Sequence, residues 1–259
     1  MSTYDKARKY EINKDIANAI YYYHLAVLQG NDLGLKKLEY LENDIIRYLE
    51  KYNNRQINLD FVQLLCYWFN TKPNLIIRGF NKEFDSLSIS SNWSHIWFAK
   101  NAEQTKIDEN LKSFEELYDK YKNYDPTYLY EYVAMIILYD QIPRNIFRNT
   151  PKAYETDSIA FKYAKFLSNY MEYLPLHVNI FIILSFCHQE SKDEHKRCVD
   201  LVQKIKDKYK RVNFEIVNTL YQIFQNHYDR IIMFGRIPER NNILNRQSTI
   251  LEKVFMNNL

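Results

Sequence analysis

Four glycines and six prolines in 259 residues leave this chain with very few backbone breakers. That scarcity excludes glycine-rich loops that let a backbone approach a nucleotide closely, and with them dinucleotide and P-loop folds. A sandwich or barrel of many short strands needs turn residues at close intervals, and too few are present. Cysteine is scarce as well: Cys66, Cys187 and Cys198 are odd in number and far apart. Neither a disulfide framework nor a C-x-x-C metal or redox site is expected, and a reducing, cytoplasmic setting fits. No sign of charge dominates, since 35 Lys and Arg against 32 Asp and Glu leave a formal net charge of +3. A general nucleic-acid coat needs more than that. Long apolar runs are missing too. Val133 to Tyr139 and Val178 to Cys187 are the longest, far short of a bilayer span, and MSTYDKARKYEINKD carries charge where a secretory leader is apolar. The chain is expected neither to span a membrane nor to be secreted.

What is abundant is tyrosine, with 23 residues, in a chain that is 46% hydrophobic and 26% charged. A chain of this size buries roughly 70 to 75% of its unfolded surface, so a substantial core is affordable. The preference for Tyr, Asn, Lys and Ile over Gly, Ala and Pro is that of an AT-rich coding sequence, as in some intracellular parasites and large DNA viruses. Hydrophobic residues recur at three-and-four spacing through Ile16, Ala19, Ile20, Tyr23 and Val27, and again through Leu35, Leu38, Leu41, Ile45, Tyr48 and Leu49. Gly30 and Asn31 lie between the runs and Asp32 opens the second, which predicts a helix pair. Leu59 to Phe69 is apolar almost all round and reads as a buried helix. Thr71 to Trp93, with Pro73, Gly79 and LSISSN, reads as a long irregular loop. Helical spacing returns at Ile107 to Tyr121, Tyr128 to Tyr139, Ile159 to Tyr170 and Phe214 to Ile231. Val178 to Phe186 has strand propensity, but with no partner strand it is assigned to a buried helix. Ser191 with Glu194 and Thr249 with Glu252 have capping-box spacing. The expectation is an all-α chain of about ten helices.

Three polar stretches interrupt this pattern: YDQIPRNIFRNTP at 139 to 151, CHQE at 187 to 190, and FGRIPERNNILNRQST at 234 to 249. From about Phe61 onward the chain resembles the bacterial uncharacterised-domain family DUF924. Asp140, Gln141, Arg144, Asn145, Arg148, Thr150 and Pro151 match its first motif, and His188 and Glu190 its second. Phe234, Gly235, Arg236, Pro238, Arg240, Asn241, Leu244, Arg246, Ser248 and Thr249 match its third. The sequence departs from the family pattern at Asn149, where the family has glycine, at Gln189, where it has serine, and at Glu239, where it has a basic or histidine residue. Residues 1–54 resemble one Sel-one-like helical repeat through Tyr10, Glu11, Asp15, Ala19, Tyr22, Tyr23, Ala26 and Gln29 to Asn31. The resemblances imply a tetratricopeptide-like right-handed helical stack over residues 55–259 with the amino-terminal pair packed on it. They imply no established reaction.

The residues themselves pose a chemical question. A carboxylate beside an apolar stretch, as Asp140 is, costs several kcal/mol to bury unless it is paired, so an arginine partner is expected. Pro143 suits the first turn of a short helix, on which Arg144 and Arg148 repel unless Asp140 or Glu190 neutralises them or an anion sits between them. Arg236, Arg240 and Arg246, with Asn241, pose the same question. Two readings stand side by side: a buried bidentate network pinning loops, and a pocket for a phosphate- or carboxylate-bearing ligand. In the pocket reading the arginines fix the anion while His188 with Glu190 moves a proton. Cys187 beside His188 reads as a buried bystander thiol. No metal or cofactor is expected. At the level of the whole protein, the leading expectation is an interaction or assembly scaffold for a partner protein segment. An enzyme or small-molecule binder is the alternative, and RNA binding through the two basic segments a weaker one.

Overall fold

The computed structural model describes residues 1–13, 19, 22, 23, 26, 29–40, 57–77, 80, 84, 89–209 and 213–258. Among them there are helices and turns and no strand. In chain order the α-helices are α1 (Thr3–Ile12), α2 (Asp32–Tyr40), α3 (Leu59–Trp68), α4 (Pro73–Ile77) and α5 (Ile89–Asn92). Next come α6 (Asn101–Leu111), α7 (Glu115–Lys120), α8 (Leu129–Ile136), α9 (Ile142–Ile146) and α10 (Asp157–Leu167). The last four are α11 (Leu176–Cys187), α12 (Lys192–Tyr209), α13 (Phe214–Phe234) and α14 (Ile250–Met256). From α11 to α13 each helix packs on the one before it, and α8 packs on α3, α10 and α11.

Helix α11 explains how the ambiguous NIFIILSF segment resolves. All twelve of its residues are buried, with α8, α10, α12 and α13 all packed against it. A helix enclosed on every side has no polar face, so its amphipathic signal vanishes while the helix persists. The stretch after Thr71 is a correction. It holds α4, α5 and a π-helical turn at Trp93–Trp97, and it carries Phe80, Phe84, Ile89 and Trp97 into the core. Phe69 meets Phe84, Trp97 and Phe181 edge to face at 5.2 to 6.0 Å. Trp97 Nε1 donates to the Trp68 carbonyl at 2.7 Å, and Asn92 Nδ2 to that of Phe69 at 2.9 Å. Aromatic burial organises a segment whose glycine, proline and serine suggested none.

At the amino terminus a helix starts earlier than periodicity indicated, because Ser2 and Asp5 form a complete capping box for α1. Tyr10 of α1 stacks on Tyr22 at 5.2 Å, and Lys37 of α2 reaches Glu11 at 2.9 Å. Gly30 ends the segment before α2 at φ +78°, and a Cβ there would lie 2.6 Å from the Tyr173 ring, so the position requires glycine twice over. Asp15, Ile16, Ile20, Val27 and the run from Leu41 to Leu49 lie outside the described residues. At the carboxyl end Thr249 and Glu252 form the expected capping box of α14. Ser191 is only half of one: its hydroxyl accepts from the Glu194 N–H at 3.4 Å, while the Glu194 carboxylate pairs with Lys165.

Candidate anion-binding site

Between α8 and α9 the chain widens into a π-helical turn at Ile137–Gln141, which carries Asp140. Such a turn releases carbonyls from the regular ladder. That of Tyr139 is taken by the Thr156 hydroxyl at 2.8 Å, which ties the turn to the start of α10. Asp140 has no solvent exposure. Its Oδ1 lies 2.7 Å from His188 Nδ1 and 3.3 Å from Arg144 Nη1, and its Oδ2 accepts from Gln141. Arg144 also forks onto Asp157, at 2.7 and 2.9 Å. Asp157 accepts a further bond from Arg240 Nη1 at 3.2 Å, and the same nitrogen donates to the His188 carbonyl at 3.1 Å. Arg240 lies over the Tyr154 ring at 4.7 Å and Arg144 at 5.6 Å. Asp140, Asp157, Arg144 and Arg240 thus cancel in charge beneath one surface.

Titration follows from this balance. Burial would raise the Asp140 carboxyl, but the His188 ring and the Arg144 guanidinium hold it at about 2. Burial, reinforced by Arg144, pushes His188 down to about 4 against the pull of Asp140. A charged imidazole would add a fifth, uncompensated charge, so at neutral pH His188 is uncharged and Arg144 is the countercharge of Asp140. An ionised carboxylate only accepts, so Nδ1 of His188 carries the proton and Nε2 the lone pair. No described residue donates to that Nε2.

Above the network an open cavity of about 500 Å³ is walled by Arg144, Arg148, Arg230 and Arg240, with His188, His227 and Tyr154. Among the described residues Glu239 is its one acidic wall residue. Arg148 forks onto Asp108 of α6 at 3.0 Å through both nitrogens, and Arg230 pairs with Glu239. The four arginines and their four acids are neutral together. Several guanidinium nitrogens find no acceptor among the described residues: Nε and Nη2 of Arg240, Nη1 of Arg148 and Nη2 of Arg230.

The remaining motif residues form a separate clamp. Arg246 forks onto Glu190, and a carboxylate oxygen of Glu190 accepts the Ile237 N–H at 2.9 Å while Arg246 Nη2 donates to the Ile237 carbonyl at 3.1 Å. Arg246 Nε bonds Asn241 Oδ1 at 3.0 Å. Arg236 forks onto Glu252 at 2.7 and 2.8 Å, and that carboxyl is held at about 2, chiefly by the Arg236 bond. The clamp fixes the turn that presents Arg240.

Of the single polar cluster expected from the sequence, Arg144, Arg148, His188 and Arg240 line the cavity with Asp140 and Gln141 beneath, whereas Glu190, Arg236, Asn241 and Arg246 belong to the clamp. Asn145 lies behind, donating to the Gln141 carbonyl at 2.8 Å and accepting from Arg148 at 3.2 Å. Two pairings need correction. His188 is partnered by Asp140 and not by Glu190, and Arg148 is neutralised by Asp108 rather than by Asp140 or Glu190. Asp157, Asp108, Tyr154 and His227 were missed. Asp157 had a faint signal as an acid beginning a helix; the others had none. Asn149 sits at φ 62°, the left-handed conformation its glycine-like position implies. Cys187 is enclosed in the core. Among the described residues no three His, Cys, Asp or Glu converge as metal ligands, and no helix is long and apolar enough to cross a membrane.

The family model described as bacterial protein of unknown function (DUF924) matches residues 64–259. A solved structure similar to the chain is that of the protein of unknown function ATU0120 from Agrobacterium tumefaciens. It is 24% identical, with a TM-score of 0.48, over 63% of this chain and 89% of that one. No curated protein matches the chain.

Proposed function

Since the chain belongs to the bacterial DUF924 family of unknown function, we propose its role from the cleft itself: it binds a phosphate- or carboxylate-bearing small molecule and sets a neutral histidine against it. One observation carries this reading. Arg240, anchored through Nη1 alone, has no acceptor for Nε and Nη2 among the described residues, and it shares a wall with His188, whose Nε2 receives no bond from any of them. Guanidinium donors left over on the wall of a cavity are available to an anion. Asp140 orients the imidazole, as a buried carboxylate does for a histidine that accepts a proton. The test is a thermal-shift titration with inorganic phosphate and with citrate. At least one should raise the melting temperature of the wild type and fail to raise that of Arg240→Met. Equal behaviour of the two proteins toward both anions would overturn the reading.

A second reading, the partner-binding scaffold, draws on a different surface. Ile250, Leu251 and Val254 of α14 are exposed together on one side of the helix. Affinity capture with wild type and with Leu251→Asp tests it, the expected result being one reproducible partner lost in the variant.

A further inference from the structure

We propose that the cleft is built for a phosphate monoester carried on a small hydroxyl-bearing molecule, a sugar or polyol phosphate, whose hydroxyls are read by His188 and His227. This rests on the anion-binding reading above.

The first argument concerns directions. A carboxylate is planar and one forked guanidinium satisfies it, whereas the three terminal oxygens of a phosphate monoester call for donors from several sides. The arginines on the wall come from different parts of the chain: Arg144 from α9, Arg148 from the turn after it, Arg230 from α13 and Arg240 from the turn at Pro238–Arg240. Donors to one bound anion can thus come from several segments of the chain.

The second argument concerns acceptors. His227 Nδ1 lies 2.8 Å from the Ile223 carbonyl, which can only accept, so this ring too carries its proton on Nδ1 and a lone pair on Nε2. Burial holds His227 down at about 4, against the Ile223 bond and with Arg230 and Arg240 adding to the effect of burial. The two rings stand 5.8 Å apart. No described residue donates to either Nε2. Two neighbouring acceptors on an anion-binding wall match neither a phosphate dianion nor a carboxylate, which bring no proton to share. They match the hydroxyls of the group that bears the phosphate. A nucleobase is disfavoured, because the Tyr154 ring already carries Arg240 and Arg144 against it.

The test is calorimetric titration of the full chain with inorganic phosphate, glycerol 3-phosphate, glucose 6-phosphate, adenosine monophosphate and citrate. At least one of the two polyol or sugar phosphates should bind tenfold or more tighter than inorganic phosphate. The ratio of ester affinity to inorganic-phosphate affinity should fall to about one in His227→Phe, and in His227→Asn should the first variant fold poorly. Phosphate binding with no gain from the hydroxyl-bearing esters would overturn this inference and leave the anion reading standing. So would a preference for citrate or for the adenosine monophosphate. Binding of none of the five would overturn both.

Discussion

Two arginine–carboxylate assemblies lie side by side in this protein, built from the same residue types and behaving differently. In the clamp, Glu190 with Arg246 and Glu252 with Arg236 use their charged groups on one another and on nearby backbone. In the cleft, Asp157 is shared between two arginines, and Arg240 keeps donors free. Salt-bridge count does not separate the two assemblies; what differs is that the arginines of the cleft line an open cavity and those of the clamp do not.

That contrast breaks most visibly at Asp157. Asp157→Ala strips the shared acid from Arg144 and Arg240, and should cost about 3 to 5 kcal/mol in urea denaturation, since it leaves buried guanidinium charge uncompensated. Acid is the next lever. His188 and His227 take up protons at about pH 4 in the folded chain against an ordinary 6.5. The unfolded chain therefore binds more protons between those values. Stability is complete above pH 6.5 and falls as the pH drops toward 4, by roughly 3 kcal/mol for each histidine. Denaturation midpoints at pH 7.5, 6 and 5 should show the decline, and His227→Phe should remove about half of it.

Smaller changes sharpen the difference. Glu252→Gln should cost about 1 to 3 kcal/mol by loosening α14, with phosphate affinity in a calorimetric titration unchanged. Arg240→Lys should do the reverse, weakening phosphate roughly tenfold while denaturation shifts by less than about 1 kcal/mol, because one charge on Asp157 is retained but the free fork is lost. Asn149→Gly should move stability by less than about 0.5 kcal/mol, since asparagine already tolerates the left-handed turn, whereas Asn149→Val should cost about 1 to 2 kcal/mol.

The sequence by itself determined the helical class, the buried α11, the left-handed Asn149 and the family. Each of these is written locally, as spacing along one helix, a turn residue or a contiguous motif. What only the tertiary structure decided is which acid meets which arginine. Asp108 reaches Arg148 across 40 positions, and Asp157 reaches Arg240 across 83. A charged side chain shows its type in the sequence but not the face its helix turns to a neighbour, and partner choice depends on that face. The same reason hid His227, whose spacing on an amphipathic helix carries no sign of the cavity it lines.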